Sequence, residues 1–172
     1  MNDFLPRLIA VAFAALATHS AAASTTGHDN HGSHQTQTAK TKTVAEKAYG
    51  KPGDAKQVKR TIAVDMNDTM RYTPSSLTMV RGKTVKFELR NTGKVMHEFV
   101  LGTMADLQAH SEAMKKSPKM AHGDAQMVHV GPGKSGTMVW QFSKAGEFHF
   151  GCLLPGHFEA GMVGKITVTE RP

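Results

Sequence analysis

The sequence predicts an all-β fold, a β-sandwich over residues 61–172 with one short helix inserted in it. Three observations carry that expectation. Apolar residues recur at every second position in separate short runs, the pattern of strands with one buried face. Turn-forming residues separate the runs, at the spacing of a two-sheet sandwich. Phe87, Phe99, Trp140, Phe142, Phe148 and Phe150 gather in this part of the chain and supply the bulk for a core.

Taken from the N-terminus, residues 1–23 read as an export signal. Arg7 ends a short leading region, Leu8 to Thr18 is apolar, and Ala21-Ala22-Ala23 offers a small-x-small cleavage site near Ala23. The apolar stretch is too short for the roughly 20 residues a bilayer span needs. No cysteine follows it as a lipid anchor, so the expectation is release as a soluble protein without stable membrane insertion. Residues 24–60 are rich in Thr, Ser, Gly, Gln, Lys and His and carry seven Lys and Arg against three Asp and Glu. Such a segment cannot bury enough surface to offset its ordering entropy and reads as a flexible tail. The net charge of +7 is weighted toward this tail. No basic face interleaved with aromatics appears, so no nucleic-acid partner is expected.

The domain follows. Ile62, Val64 and Met66 form the first alternating run. Thr73-Pro74 and Arg81-Gly82-Lys83 punctuate the chain before Val85, Phe87 and Leu89. After Asn91-Thr92-Gly93, His97 opens the apolar run Phe99-Val100-Leu101. Thr103 to Lys116 breaks the period. Thr103 with Asp106 is a variant capping box; Leu107 and Met114, with Met104 and Ala113, form an apolar stripe, and Pro118 stops the helix. Gly131-Pro132-Gly133 precedes Met138, Trp140 and Phe142, and Ala145-Gly146 precedes Phe148 and Phe150. Val163 to Val168 alternates again as the last strand.

The chain's single cysteine opens the run Cys152-Leu-Leu-Pro-Gly-His157-Phe-Glu-Ala-Gly-Met162, a Cys-x4-His-x4-Met spacing. Cys152 ends an aromatic strand, Pro155-Gly156 forces a turn before His157, and Met162 leads into the last strand. A loop between two adjacent strands thus carries a thiolate, an imidazole and a thioether to one end of a sandwich, which His97 also reaches. Two His and one Cys in a plane with a weak axial Met is the ligand set of a mononuclear copper electron-transfer centre. Soft sulfur ligands favour Cu(I) and imidazoles also suit Cu(II), whereas a thioether is a poor zinc ligand. Copper is the expected cofactor.

Residues 61–172 resemble the cupredoxins, the plastocyanin and azurin type of copper protein. The resemblance rests on Arg81-Gly82-Lys83-Thr84-Val85, on Asn91-Thr92-Gly93-Lys94-Val95-Met96-His97-Glu98-Phe99, and on the Cys152 loop. It implies a Greek-key β-sandwich with His97, Cys152, His157 and Met162 as metal ligands. More narrowly, the chain resembles periplasmic cupredoxins associated with bacterial copper tolerance, a resemblance that implies a periplasmic location. Two positions depart from the plastocyanin and azurin pattern: Glu98 and Leu153 stand where Asn and Ser or Thr are common.

Further metal-binding candidates lie outside that set. His28, His31 and His34 recur every third residue in the tail, and Met120, His122, Met127 and His129 follow the helix. Both groups fit accessory copper contacts, although Met104 and Met114 fall at helical spacing and read equally as core. Leu153, Leu154, Pro155 and Phe158 around His157 would suit brief docking of a redox partner. The expected function is copper tolerance with a redox-active type 1 site, or alternatively a soluble electron shuttle. An enzyme is not expected: the sequence has no His-x-His pair of the kind that builds further copper centres.

Overall fold

The computed structural model describes residues 45–117 and 123–171, all within one compact unit, Thr41–Pro172. The export signal, the tail as far as residue 44, and the candidates His28, His31, His34, Met120 and His122 lie outside the described residues.

The strands are β1 (Lys51–Pro52), β2 (Val58–Asn67), β3 (Arg71–Thr73), β4 (Ser76–Val80), β5 (Thr84–Asn91), β6 (His97–Gly102), β7 (Met127–Val130), β8 (Ser135–Gln141), β9 (Gly146–Gly151) and β10 (Val163–Thr169). They form two five-stranded sheets, ordered β1-β8-β5-β2-β3 and β4-β10-β9-β6-β7. Helix α1 (Met104–Lys116) stands between β6 and β7, as the sequence predicts. The chain crosses between the sheets at β3–β4, β4–β5, β5–β6, β7–β8 and β8–β9, so sequence neighbours are repeatedly separated in space. Each sheet contains one parallel pair, β2 with β5 in the first and β4 with β10 in the second.

The alternation read from the sequence sets which faces meet. Ile62, Val64 and Met66 of β2, Phe87 and Leu89 of β5 and Met138 and Trp140 of β8 are buried, against Phe148 and Phe150 of β9 and Ile166 and Val168 of β10. Burying each large side chain contributes roughly 1.5–3 kcal/mol. Phe99 lies 4.9 Å from Phe150 in a stacked arrangement, directly behind the end of the sandwich where the ligand candidates sit. Gly164 of β10 faces Phe150, and a Cβ there would approach the ring to 2.1 Å, so that position admits no side chain.

Three expectations need correction. The folded region does not begin at residue 61: β1 pairs with Trp140 and Gln141, Tyr49 is buried, and β2 already starts at Val58. Tyr49 stacks on Trp140 at 5.8 Å, and its carbonyl accepts from the indole N–H at 2.9 Å. One aromatic residue anchors a segment whose average composition is that of a tail. The helix buries Leu107, Ser111 and Met114, while Met104 and Ala113 are only half-buried. Finally, the sequence reading does not include β3, β4 and β7: β3 and β7 hold only three and four residues, whereas Leu77 and Met79 of β4 do alternate and lie in the core.

Candidate metal centre

His97, Cys152 and His157 converge, with one donor atom from each lying within 4.8 Å of the others. Register explains the meeting. Strands β6 and β9 run antiparallel with Val100 opposite Gly151. Continuing that register beyond the end of β9 brings the start of β6 alongside Cys152 and Leu153.

His97 is fully buried. The loop that delivers it is fixed by two side chains. Asn91 Nδ2 donates to the carbonyls of Val95 and Val130 at 2.7 and 2.9 Å. The Asp68 carboxylate accepts from the amides of Lys94, at 2.8 Å, and Val95, at 3.3 Å. Asp68 Oδ1 also lies 3.6 Å from His97 Nε2. Neither ring nitrogen of His97 has a hydrogen-bond partner among the described residues. A buried polar atom left unsatisfied costs about 1–3 kcal/mol, and a metal ion is the partner that would remove that penalty. Burial and, next, the neighbouring His157 ring hold the His97 pKa below its ordinary value, keeping the imidazole neutral and its lone pair free.

Cys152 follows β9 and is also fully buried. Its Sγ accepts from the Glu98 amide at 3.3 Å and lies 3.2 Å from His157 Nδ1. Burial pushes the thiol pKa up to about 12, outweighing the Glu98 and Leu154 amides that favour the anion. A thiol so placed is protonated at neutral pH unless a metal displaces the proton. The donor set therefore fits a soft, thiolate-binding cation such as copper.

His157 and Met162 belong to one tightly wound loop. The His157 amide donates to Leu154 O at 3.0 Å, Met162 N to His157 O at 3.1 Å, and Cys152 N to Met162 O at 3.1 Å. Gly156, at φ +87°, makes the turn before His157. His157 is half-buried, its ring centroid 5.1 Å from that of His97. Met162 is fully buried in the same core cluster as Cys152.

The loop is braced from outside by α1. Glu159 receives Lys115 Nζ at 2.7 Å and Ser111 Oγ at 3.1 Å, and accepts the Gly156 amide at 3.1 Å. Chiefly through Lys115, its carboxyl is held down at about 2. Phe158 packs against Val100, Leu107 and Leu153 in a satellite cluster beneath the helix.

Other candidates fall differently. Met127 packs in that same satellite cluster as a gap-filling residue. His129, on β7 opposite Glu98, places Nε2 2.8 Å from Glu98 Oε1. The apolar surface expected around His157 is only partly there, because Leu153 is fully buried and Phe158 turns inward. Exposed bulk lies instead at Val95 and Met96, 42% and 46% accessible, just before His97. Asp68, Glu159 and this Val95-Met96 pair escaped the sequence reading. Nothing in a single sequence ties residue 68 to residue 97, or residue 159 to a helix.

Comparison with known proteins agrees with this geometry. Residues 57–169 match the family of copper binding proteins of plastocyanin/azurin type. The chain is 51% identical over 142 residues to the copper-resistant cuproprotein CopI of Rubrivivax gelatinosus, covering 83% of this chain and 84% of that protein. It is 35% identical to the protein of the same name from Pseudomonas aeruginosa, covering 70% of this chain and 82% of the relative. Among solved structures, auracyanin B shares the fold with a TM-score of 0.61 at 21% identity, over 70% of this chain and 96% of that one.

Proposed function

The chain belongs to the plastocyanin/azurin family of copper-binding proteins, akin to copper-resistance cuproproteins, and from that premise we propose that it is an exported, periplasmic protein of copper tolerance with a redox-active type 1 site. The observation that carries the reading is the buried His97–Cys152–His157 cluster, donor atoms within 4.8 Å. We assign His97, Cys152 and His157 as the residues that would hold the metal, with Met162, buried in the same cluster as Cys152, as a weaker fourth.

When bound there, copper supplies one-electron chemistry between Cu(I) and Cu(II). The chain's own residues supply a fixed frame. His97 and His157 offer neutral imidazoles, and Cys152 gives up its proton on binding. The Glu98 amide holds the sulfur at 3.3 Å. A frame fixed by strand register and hydrogen bonds lets the same donors serve both oxidation states with little rearrangement. The relatives' printed names, copper-resistant cuproproteins, support tolerance as the physiological role.

A plain electron shuttle is the second reading, favoured by the exposed Val95 and Met96 beside His97, which suit a brief docking contact. On either reading the protein binds copper and passes electrons, and does not turn over a substrate as an enzyme.

Visible absorption and electron-spin resonance of the Cu(II) protein test the site. An intense thiolate-to-copper band is expected in the wild type and absent from Cys152→Ala, which still folds. Retention of the band in that variant overturns the assignment. Copper titration separates the two roles: one equivalent favours the shuttle, whereas additional weaker equivalents, lost when residues 24–44 are deleted, favour copper handling. A strain lacking the protein should grow poorly in copper and be rescued by the wild type but not by Cys152→Ala.

A further inference from the structure

Glu98 is 1% exposed. A carboxylate so placed costs several kcal/mol in lost solvation unless its oxygens are engaged. Each of its contacts leads to the cysteine loop or holds the strand beside it. The backbone amide donates to Cys152 Sγ at 3.3 Å. Oε2 accepts the amide of the next residue, Leu153, at 3.2 Å. The backbone carbonyl accepts from the Tyr72 hydroxyl. Oε1 makes no aligned hydrogen bond among the described residues, but it lies 2.8 Å from His129 Nε2 on the edge strand β7, and the His129 side chain is 37% exposed. A continuous line of contacts therefore runs from a solvent-facing imidazole, through a buried carboxylate, to the peptide carrying the sulfur.

We propose that Glu98 and His129 form a positioning pair for Cys152, holding the sulfur in place through the Leu153 amide and biasing the centre toward its oxidised state. The inference rests on the assignment of Cys152 as a copper ligand. Two physical effects support it. A carboxylate beside a metal thiolate favours the more positive ion, Cu(II), over Cu(I), because the Coulomb attraction is larger and the site is poorly screened. The Leu153 amide bond fixes the loop immediately after the ligand, and partners of this kind orient ligands and tune the metal. His129 is a positioning residue acting through Glu98. Pairing with it keeps the carboxylate from being left buried and alone, and keeps it aimed at the loop.

The test uses the full chain with Glu98→Gln, His129→Ala and the double variant. Glu98→Gln keeps an oxygen for the Leu153 amide and loses the charge. It should shift the relative affinity about tenfold toward Cu(I), a rise in reduction potential of about 59 mV for one electron. His129→Ala should shift the potential and the visible band measurably, and add nothing further in the Glu98→Gln background, since coupled residues are non-additive. In metal-free protein, exchange of the Leu153 amide should quicken about tenfold in His129→Ala and stay slow in His129→Gln, which restores a donor. An unchanged potential in Glu98→Gln, or equal and additive shifts in the double variant, overturns the pair. If Glu98→Gln does not fold, the His129 variants carry the test: an unshifted band with unchanged Leu153 exchange is then the overturning result. Absence of any thiolate-to-copper band in the wild type would instead sink the copper assignment. The amide-exchange arm would still judge the Glu98–His129 link.

Discussion

His97 and His157 offer the same imidazole to the same cluster, but from opposite settings. His97 is fully buried at the start of a strand, and its loop is tied down by polar contacts from Asn91 and Asp68. His157 is half-buried in a wound loop, held by apolar packing of Phe158 and by the Glu159 contacts to α1. The difference divides the labour of the site. One histidine is part of the core and fixes geometry; the other sits where electrons and small molecules can reach the cluster from solvent.

Replacing each histidine by glycine tests that division and carries the largest effect. Both His97→Gly and His157→Gly should lose the thiolate-to-copper band and at least about a hundredfold in copper affinity, the upper end of what disturbing a metal's surroundings costs. External imidazole should restore the band in His157→Gly, because a half-exposed ring leaves an opening to solvent. It should not do so in His97→Gly, where the vacancy lies within the core. Equal rescue in both would dissolve the contrast.

Next come the two supports. Phe158→Ala removes the apolar wedge beneath the His157 loop and should cost about 2 kcal/mol, below a fully buried Phe because Phe158 retains some exposure. Denaturant unfolding of the metal-free protein measures it, and copper affinity should fall in parallel. Asp68→Ala frees the Lys94 and Val95 amides and removes the anion beside His97 Nε2. Copper affinity should drop roughly tenfold, with little change in the visible band since the sulfur is untouched. A larger effect from Asp68→Ala than from Phe158→Ala would mean that the polar loop, and not the packed one, limits the site.

The same contrast explains what could be read from the chain alone. The ligand loop announces itself, because Cys152, His157 and Met162 are sequence neighbours and their donor types admit few metals. The strands with long alternation, such as Ile62–Met66 and Val85–Leu89, and the capped helix at Thr103 follow from period and capping chemistry. The supports do not announce themselves. Asp68 lies 26 residues from Lys94 and Glu98 lies 55 from Leu153, and only strand register brings them together. Tyr49 shows the opposite failure: a single buried ring is lost in the average of a polar segment.

Glu159→Gln carries the smallest expected effect and sharpens the comparison most finely. The side chain of Glu159 is 38% exposed and pairs with an equally exposed Lys115, so screening by solvent limits the ion pair to about 1 kcal/mol or less. Glutamine keeps one oxygen for the Gly156 amide and turns an N–H toward Ser111, whose hydroxyl oxygen can accept it, so the loop should stay wound and chiefly the charge contact should go. Stability of the metal-free protein should fall slightly at low salt, and the difference from wild type should vanish near 1 M salt, where the Debye length is about 3 Å. Phe158→Ala should keep its full cost at either salt concentration. If the Glu159→Gln deficit persists in high salt, α1 braces the His157 loop through the geometry of that carboxylate and not through its charge, and the packed and polar supports of the two histidines are more alike than their burial implies.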